Sequence, residues 1–149
     1  MELTIPGAVA SAAREFGDAP ALADTALADT ALAEPGGLRL SFRELDERVT
    51  AVAAALIGEG VAPADRVAIW APNTYHWVLA ALGALSAGAT LVPVSTRFTG
   101  PEALDVIGRS GASVLFVAGD FLGVDRLADI IGQAHGRAPG VARGLAWRT

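Results

Sequence analysis

The chain has 149 residues, a formal net charge of −5 and no cysteine. Its length is typical of a single domain, its acidic balance argues against nucleic-acid binding, and without cysteine it has no disulfide or thiolate zinc site. Hydrophobic residues make up 52% of the chain and charged residues 18%. This balance favours a parallel sheet that is covered on both faces.

The N-terminal part contains short elements and a repeat. We predict a helix over residues 5–16 and short strands over 19–24 and 38–42. Between them, ALADT-ALADT-ALAEP repeats with a period of five over residues 21–35. Because five residues match neither the helical nor the strand period, we predict a surface loop expanded by duplication.

From residue 41 onward, helical and strand patterns alternate. Ser41 and Glu44 have the spacing of a capping box, as do Thr99 and Glu102. Such alternation predicts right-handed βαβ units, a parallel sheet and therefore an α/β fold. The predicted helices cover residues 41–60, 74–87, 99–110 and 120–134, the last one capped by Asp120, and the predicted strands cover 66–71, 90–94 and 113–118.

An uncharged segment from Trp77 to Val94 reaches the length of a membrane helix. Gly88 and Pro93 would interrupt such a helix, and the residues around Pro93 have strand composition. We therefore predict a helix followed by a buried strand, and no membrane span. Glu2 stands where a signal peptide would be basic, so we expect a cytoplasmic protein.

Polar side chains follow two predicted strands. Asn73, Tyr75 and His76 come after the first strand of the sheet, and Arg97 comes after the second. Ligands of open α/β sheets bind at the carboxyl ends of strands, so these four residues are candidates to line a crevice. Alternatively, Asn73 or Thr74 caps the next helix, Tyr75 and His76 pack on its first turn, and Arg97 pairs with a carboxylate.

The familiar catalytic motifs are missing. The sequence has no G-x-G-x-x-G fingerprint, and without any lysine it cannot form a phosphate-binding loop of the Walker type. Residues 108–112, GRSGA, do not match the nucleophile elbow, and the two histidines lie far apart. We therefore predict no catalytic, cofactor-binding or metal-binding residue in this chain.

Four segments together carry a family resemblance. They are SFRELDERV (41–49), GVAPADRVAIWAPN (60–73), WVLAALGALSAGATLVPV (77–94) and STRFTGPE (95–102). Their order closely resembles the start of the acyl-CoA synthetases of the adenylate-forming (AMP-binding) superfamily. NTYHWV and DFLGVDR are similar to the actinobacterial fatty-acid-CoA ligase (FadD-like) group, in which steroid-degradation ligases for a ring-bearing propanoate share a His-Trp pair.

The resemblance implies a role for this chain within a larger enzyme. Such enzymes use ATP, Mg²⁺ and coenzyme A to convert a fatty acid or steroid side-chain carboxylate into a CoA ester through an acyl-adenylate. The lysine-bearing phosphate loop and a catalytic lysine lie downstream of the matched region. Residues 1–134 would thus form a truncated N-terminal subdomain that binds no cofactor, and residues 135–149 a Gly/Ala/Arg-rich tail or linker.

Two hypotheses follow from the resemblance. In the first, the chain is a ligase fragment that is inactive alone and needs the missing remainder of the enzyme as its partner. In the second, it is a non-catalytic binding or regulatory module that associates with an intact ligase paralogue.

Overall fold

A computed structural model describes residues 4–24, 38–121, 124–128, 130 and 143–146. The fold is α/β with a parallel sheet, as the alternation predicts. The elements of the described residues are α1 (Ile5–Phe16), β1 (Pro20–Asp24), β2 (Leu38–Ser41), α2 (Phe42–Gly58), β3 (Arg66–Trp70), α3 (Tyr75–Ser86), β4 (Thr90–Pro93), α4 (Gly100–Ser110), β5 (Val114–Val117), β6 (Asp120–Phe121), β7 (Val124–Asp125) and β8 (Arg143–Ala146).

The chain divides into two compact units. One contains residues 1–60 and 73–88, with α1, α2, α3 and the antiparallel pair β1–β2. The other contains residues 61–72 and 89–149, with α4 and the remaining strands.

Packing in the first unit centres on the contact between α2 and α3. Buried Leu40, Leu45, Val49 and Leu79 form its apolar core. The helices approach so closely at Gly83 that a Cβ there would stand 2.7 Å from Val52 Cβ. Helical periodicity put these apolar residues on one face, and glycine permits the close approach.

The start of α2 confirms the predicted capping box. Ser41 Oγ accepts a hydrogen bond from the Glu44 N–H at 3.2 Å, and the Glu44 carboxylate accepts one from the Ser41 N–H at 2.8 Å. These two bonds satisfy amide groups that have no partner within the helix. The hydrogen bonds from Ser41 also hold the pKa of Glu44 below its usual value.

The second unit is built on a parallel sheet in the order β4-β3-β5-β8. Central strand β3 has Val67 opposite Leu91 of β4 and Val114 of β5. Val67, Ala68 and Ile69 are fully buried. Burial on both faces explains why the strand is a continuous apolar run instead of an alternating one.

Helix α4 begins at a second capping pair. The Glu102 carboxylate accepts hydrogen bonds from the Thr99 N–H at 2.8 Å and from the Thr99 hydroxyl at 2.9 Å. Ala103 and Ile107 are buried in the core of the second unit. The α4 prediction is therefore confirmed to within one residue at its start.

The prediction that Asp120 caps a helix is wrong. Asp120 lies in β6, which pairs antiparallel with β7. Only two residues separate these strands, one of them glycine, which is a composition typical of a hairpin connection. Helical structure begins at Arg126, where Asp125 Oδ1 accepts a hydrogen bond from the Ala128 N–H at 3.0 Å. Residues 131–134 of the predicted helix lie outside the described residues.

The structure also bears on the predicted C-terminal tail and on the repeat. The sequence predicts a tail or linker over 135–149, whereas residues 143–146 form β8, paired parallel with β5. Backbone pairing at a sheet edge forms this strand despite its weak strand composition. Residues 25–35, most of the repeat, lie outside the described residues.

The structure also bears on the prediction that the uncharged segment is no membrane span. The uncharged segment forms the 12-residue helix α3 and then the strand β4. Within the residues that the structure describes, no helix has both the length and the apolar character needed to cross a membrane.

Candidate functional site

The first unit has a cavity of about 360 Å³ between β1 and the first turn of α3. Both elements contribute to its wall, because β1 ends beside the point at which α3 begins. The lining residues are Leu22, Ala23, Asp24, Asn73, Thr74, Tyr75, Trp77 and Val78.

Asp24 organises this cavity. The residue is only 8% exposed, and its Oδ2 accepts a hydrogen bond from the Tyr75 backbone N–H at 2.7 Å. A carboxylate at a helix N-terminus satisfies a free amide and opposes the positive end of the helix dipole. β1 therefore fixes the start of α3 across 51 residues of sequence.

The alternative interpretation, that Asn73 or Thr74 caps α3, is confirmed in the position of the N-cap but not in its hydrogen bonding. Thr74 is the N-cap residue of α3, but its side chain makes no capping hydrogen bond. Asn73 precedes the N-cap and is exposed. The capping group comes instead from Asp24, which a local reading of the sequence cannot find.

Tyr75 and His76 form a stacked pair at the start of α3. Their ring centroids lie 3.8 Å apart, with an interplanar angle of 33°. Burial lowers the pKa of His76, and the negative charge of Asp24 acts in the opposite direction. Burial therefore favours the neutral imidazole, which can both donate and accept a hydrogen bond.

Arg97, the fourth predicted crevice residue, belongs to the second unit. It is exposed in the turn after β4, and its backbone N–H donates to Ser95 Oγ at 3.3 Å. The structure thus brings Asn73 and Tyr75 to the cavity and stacks His76 on Tyr75. A crevice-lining role for the four residues stays a prediction.

Arg126 holds the turn that carries Arg97. Its guanidinium lies 4.9 Å from the centroid of the Trp70 ring, and it donates to the carbonyl oxygens of Phe98 and Thr96, each at 3.2 Å. A planar guanidinium can stack on an aromatic ring while its fork reaches two acceptors. Arg126 therefore links β3 to the loop that follows β4.

Sequence reasoning missed both Asp24 and Arg126. Asp24 stands in a repeat whose second copy is identical, so nothing local distinguishes it from Asp29. Arg126 meets acceptors 28 and 30 residues earlier in the chain. The one available signal was a carboxylate at the end of the short apolar strand β1.

The cavity is lined by both apolar and hydrogen-bonding groups. Leu22, Val78 and the aromatic rings supply apolar wall, while Asn73 and Thr74 supply hydrogen-bonding groups. Among the described residues, no cluster of three or more His, Asp or Glu side chains could hold a metal ion. The arrangement can hold a partly apolar group and position α3.

Comparison with known proteins identifies a family whose model matches most of this chain. The family model described as AMP-binding enzyme matches residues 9–144. The chain is 51% identical over 127 residues to the 3-[(3aS,4S,7aS)-7a-methyl-1,5-dioxo-octahydro-1H-inden-4-yl]propanoyl:CoA ligase of Rhodococcus jostii (strain RHA1), covering 85% of this chain and 22% of that protein. It is 56% identical over 92 residues to the ligase of the same name from Mycobacterium tuberculosis, covering 62% of this chain and 18% of that protein.

Solved structures show the same fold. The N-terminal domain of FACL13 from Mycobacterium tuberculosis superposes with a TM-score of 0.80 at 21% identity, over 98% of this chain and 34% of that one. A putative long-chain-fatty-acid CoA ligase from Rhodopseudomonas palustris gives a TM-score of 0.77 at 24% identity, over 99% of this chain and 33% of that one. The chain spans about a fifth of the length of the two curated ligases and about a third of these structures.

Proposed function

The chain belongs to the AMP-binding enzyme family, and we propose that it supplies the N-terminal part of a ligase that joins a ring-bearing propanoate to coenzyme A. The observation that carries this proposal is the 51% identity to the Rhodococcus ligase, sustained over 85% of the chain. An identity of this size extends beyond the buried positions that the fold alone requires.

The substrate class rests on a contrast among relatives. Two ligases named for the same indenyl propanoate are 51% and 56% identical to this chain. The human medium-chain acyl-CoA ligase is 36% identical over 78 residues. We therefore favour a fused-ring propanoate over a straight-chain fatty acid.

ATP, Mg²⁺ and coenzyme A would be the cofactors of the complete enzyme. The carboxylate attacks ATP to give an acyl-adenylate and pyrophosphate, and the coenzyme A thiol then displaces AMP. The first step replaces a poor leaving group by a good one. We expect the reaction to take place in the cytoplasm.

The chain's own contribution would be structural. It contains no lysine, and a lysine ammonium is the usual side-chain partner of nucleotide phosphates in phosphate-binding loops. Its capped helices and parallel sheet would support a site completed by the rest of the enzyme. We propose that the chain alone forms no adenylate.

Complementation by a split enzyme tests this proposal. The chain is mixed with the part of the Rhodococcus ligase that follows the matched region, and formation of the CoA ester is measured with the indenyl propanoate and with octanoate. We expect product only when both pieces are present, and more product from the ring-bearing acid. Pyrophosphate release by the chain alone would contradict the inactive-fragment proposal.

Two controls sharpen the experiment. The C-terminal piece alone sets the background, and intact Rhodococcus ligase mixed with the chain tests the alternative of a regulatory module. A change in the rate of the intact enzyme, without complementation of the split one, would favour the regulatory alternative. Equal rates with both acids would refute the substrate class but not the family.

A further inference from the structure

The β4 turn, residues 95–98, follows β4 at the carboxyl edge of the parallel sheet. The Phe98 N–H donates to the Ser95 carbonyl oxygen at 3.1 Å, and this hydrogen bond closes the turn. Arg97 lies at the third position of the turn and is exposed. Because an exposed turn opens easily when few contacts hold it, the place of Arg97 depends on contacts from other elements.

Two side chains from other segments hold the backbone of the β4 turn. The indole N–H of Trp70, the last residue of β3, donates to the Ser95 carbonyl oxygen at 3.0 Å. Arg126 donates to the Thr96 and Phe98 carbonyl oxygens, each at 3.2 Å. Since both side chains bond to backbone atoms of the turn, they fix its path whatever side chains the turn carries.

Arg126 is itself fixed at both ends. Its backbone N–H donates to the carbonyl oxygen of Gly119, shortly after β5, at 2.9 Å. Its guanidinium lies 4.9 Å from the centroid of the Trp70 ring, and Trp70 is only 1% exposed. A planar guanidinium that rests on a ring and reaches two acceptors has little freedom to turn. Arg126 therefore connects the ends of β3 and β5 to the β4 turn.

Arg97 is the one charged residue of the β4 turn. Ligands of open parallel sheets bind at the carboxyl ends of the strands, which is where this turn lies. The reactants of the proposed ligase are ATP, coenzyme A and a carboxylic acid, and each of them carries negative charge. A guanidinium pairs with phosphate or carboxylate through two parallel hydrogen bonds, so both its position and its orientation matter.

We propose that Arg126 is a positioning residue of the ligase, which acts on the reaction through the β4 turn by fixing where Arg97 lies. This inference rests on the proposed function, and it adds one reactant contact to the structural role of the chain. Arg97 meets an anionic group of a reactant, whereas Arg126 meets only the turn and the Trp70 ring. Holding the turn beforehand avoids the cost of ordering it when the reactant binds.

Kinetics of a chimeric ligase test the role of Arg126. In the chimera this chain replaces the matched region of the Rhodococcus ligase, and ATP, coenzyme A and the indenyl propanoate are varied in turn. We expect Arg97→Gln and Arg126→Gln each to raise the KM for the same reactant at least about fivefold, because the charge-assisted pair is lost in one and misplaced in the other. The value of kcat should change less than about twofold.

The reactant whose KM rises identifies the anionic group. A rise for ATP or coenzyme A assigns a phosphate to Arg97, and a rise for the propanoate assigns a carboxylate. An unchanged KM for all three reactants in the Arg126→Gln chimera would overturn the proposal.

Milder variants and a control separate positioning from folding. Arg126→Lys keeps the charge but cannot reach both carbonyl oxygens with a fork, so its KM should lie between those of the native chimera and Arg126→Gln. Trp70→Phe keeps the ring but removes the donor to Ser95, and should raise the same KM. Arg109→Gln should leave every KM unchanged, because Arg109 is an exposed arginine of the same unit, paired with Asp105 at 2.8 Å. If Arg126→Lys and Trp70→Phe fold and keep the native KM values, the proposal is wrong.

A double variant shows whether Arg126 acts through Arg97. In an Arg97→Gln background, Arg126→Gln should change the same KM by less than about twofold, because the side chain that it positions is already lost. If Arg126 touched the reactant itself, or acted only through stability, it would keep its full effect in that background. A full effect would therefore contradict the proposed route through the turn.

Hydrogen exchange in the chain by itself gives a readout that needs no ligase activity. Arg126→Gln should speed exchange of the Phe98 N–H at least about tenfold more than exchange of the Thr90 N–H. Thr90 donates to the Asp65 carbonyl oxygen at 2.7 Å, at the opposite end of β4. Equal acceleration at both amides, or none at Phe98, would show that Arg126 does not hold the turn and would overturn the proposal. If the unsubstituted chimera makes no CoA ester while Phe98 responds as expected, the proposed function fails and the hold of Arg126 on the turn stands.

Discussion

Replacing Gly83 by alanine should destabilise the first unit, although alanine is the better helix former. Gly83 is buried within α3. A Cβ built there stands 2.7 Å from Val52 Cβ and 3.4 Å from the Ala53 backbone nitrogen. The new Cβ also meets Val52 Cγ1, which can rotate, but Val52 Cβ is bonded to the α2 backbone and cannot, so the helices must separate.

The magnitude follows from two opposing contributions. Overpacking of a tight contact costs roughly 1–3 kcal/mol. Replacing glycine by alanine in a helix regains up to about 1 kcal/mol. Since 2.7 Å is shorter than real Cβ contacts allow, the cost should lie in the upper part of its range, and we expect a net loss of roughly 1–2 kcal/mol.

Urea denaturation followed by circular dichroism measures this change. Gly58→Ala is the matched control, because it lies in α2 of the same unit and its Cβ meets nothing within 4 Å. It should be neutral or slightly stabilising. The cost of Gly83→Ala should also shrink in a Val52→Ala background, because that substitution removes the Val52 Cγ1 methyl that the new Cβ also meets. A Gly83→Ala variant as stable as Gly58→Ala would refute the close-packing argument.

Two further predictions concern polar contacts. Arg126→Gln removes the stacking on Trp70 and the donors to Phe98 and Thr96, and should destabilise the second unit by roughly 1.5–3 kcal/mol in denaturant titrations. The stability of Arg126→Lys should lie between that of Arg126→Gln and that of the native protein. If both variants are as stable as the native protein within error, the assigned role of Arg126 is contradicted. Because burial lowers the pKa of His76 below 6.5 in the folded state, the unfolded state binds more protons, and stability should fall as pH drops from about 7 towards about 5. His76→Gln should flatten this fall, and an unchanged pH profile would show that His76 is not its source.

Local signals in the sequence predicted local structure. The pairs Ser41–Glu44 and Thr99–Glu102 marked two helix starts correctly because the groups that interact are three residues apart. The continuous apolar run of β3 predicted a strand buried on both faces, because such burial removes the alternation of polar residues. Periodicity and capping together were enough to establish the α/β class.

Non-local contacts explain what could not be predicted. Asp24 caps a helix 51 residues away, and its own neighbourhood is a repeat that hides it. Asp120 had the composition of a helix cap, but the hairpin that follows moves the helix start to Arg126. β8 has few strand-forming residues and exists through backbone pairing with β5. In each case the deciding partner is distant or belongs to the backbone.

A chimeric ligase tests the central claim most directly. The matched region of the Rhodococcus ligase is replaced by this chain, and kcat/KM for the indenyl propanoate is compared with that of the parent enzyme. We expect the chimera to keep the activity within about tenfold, because the chain would supply the same scaffold to an intact catalytic remainder. A chimera that folds, binds ATP and yet makes no CoA ester would contradict the assignment of this chain to such a ligase.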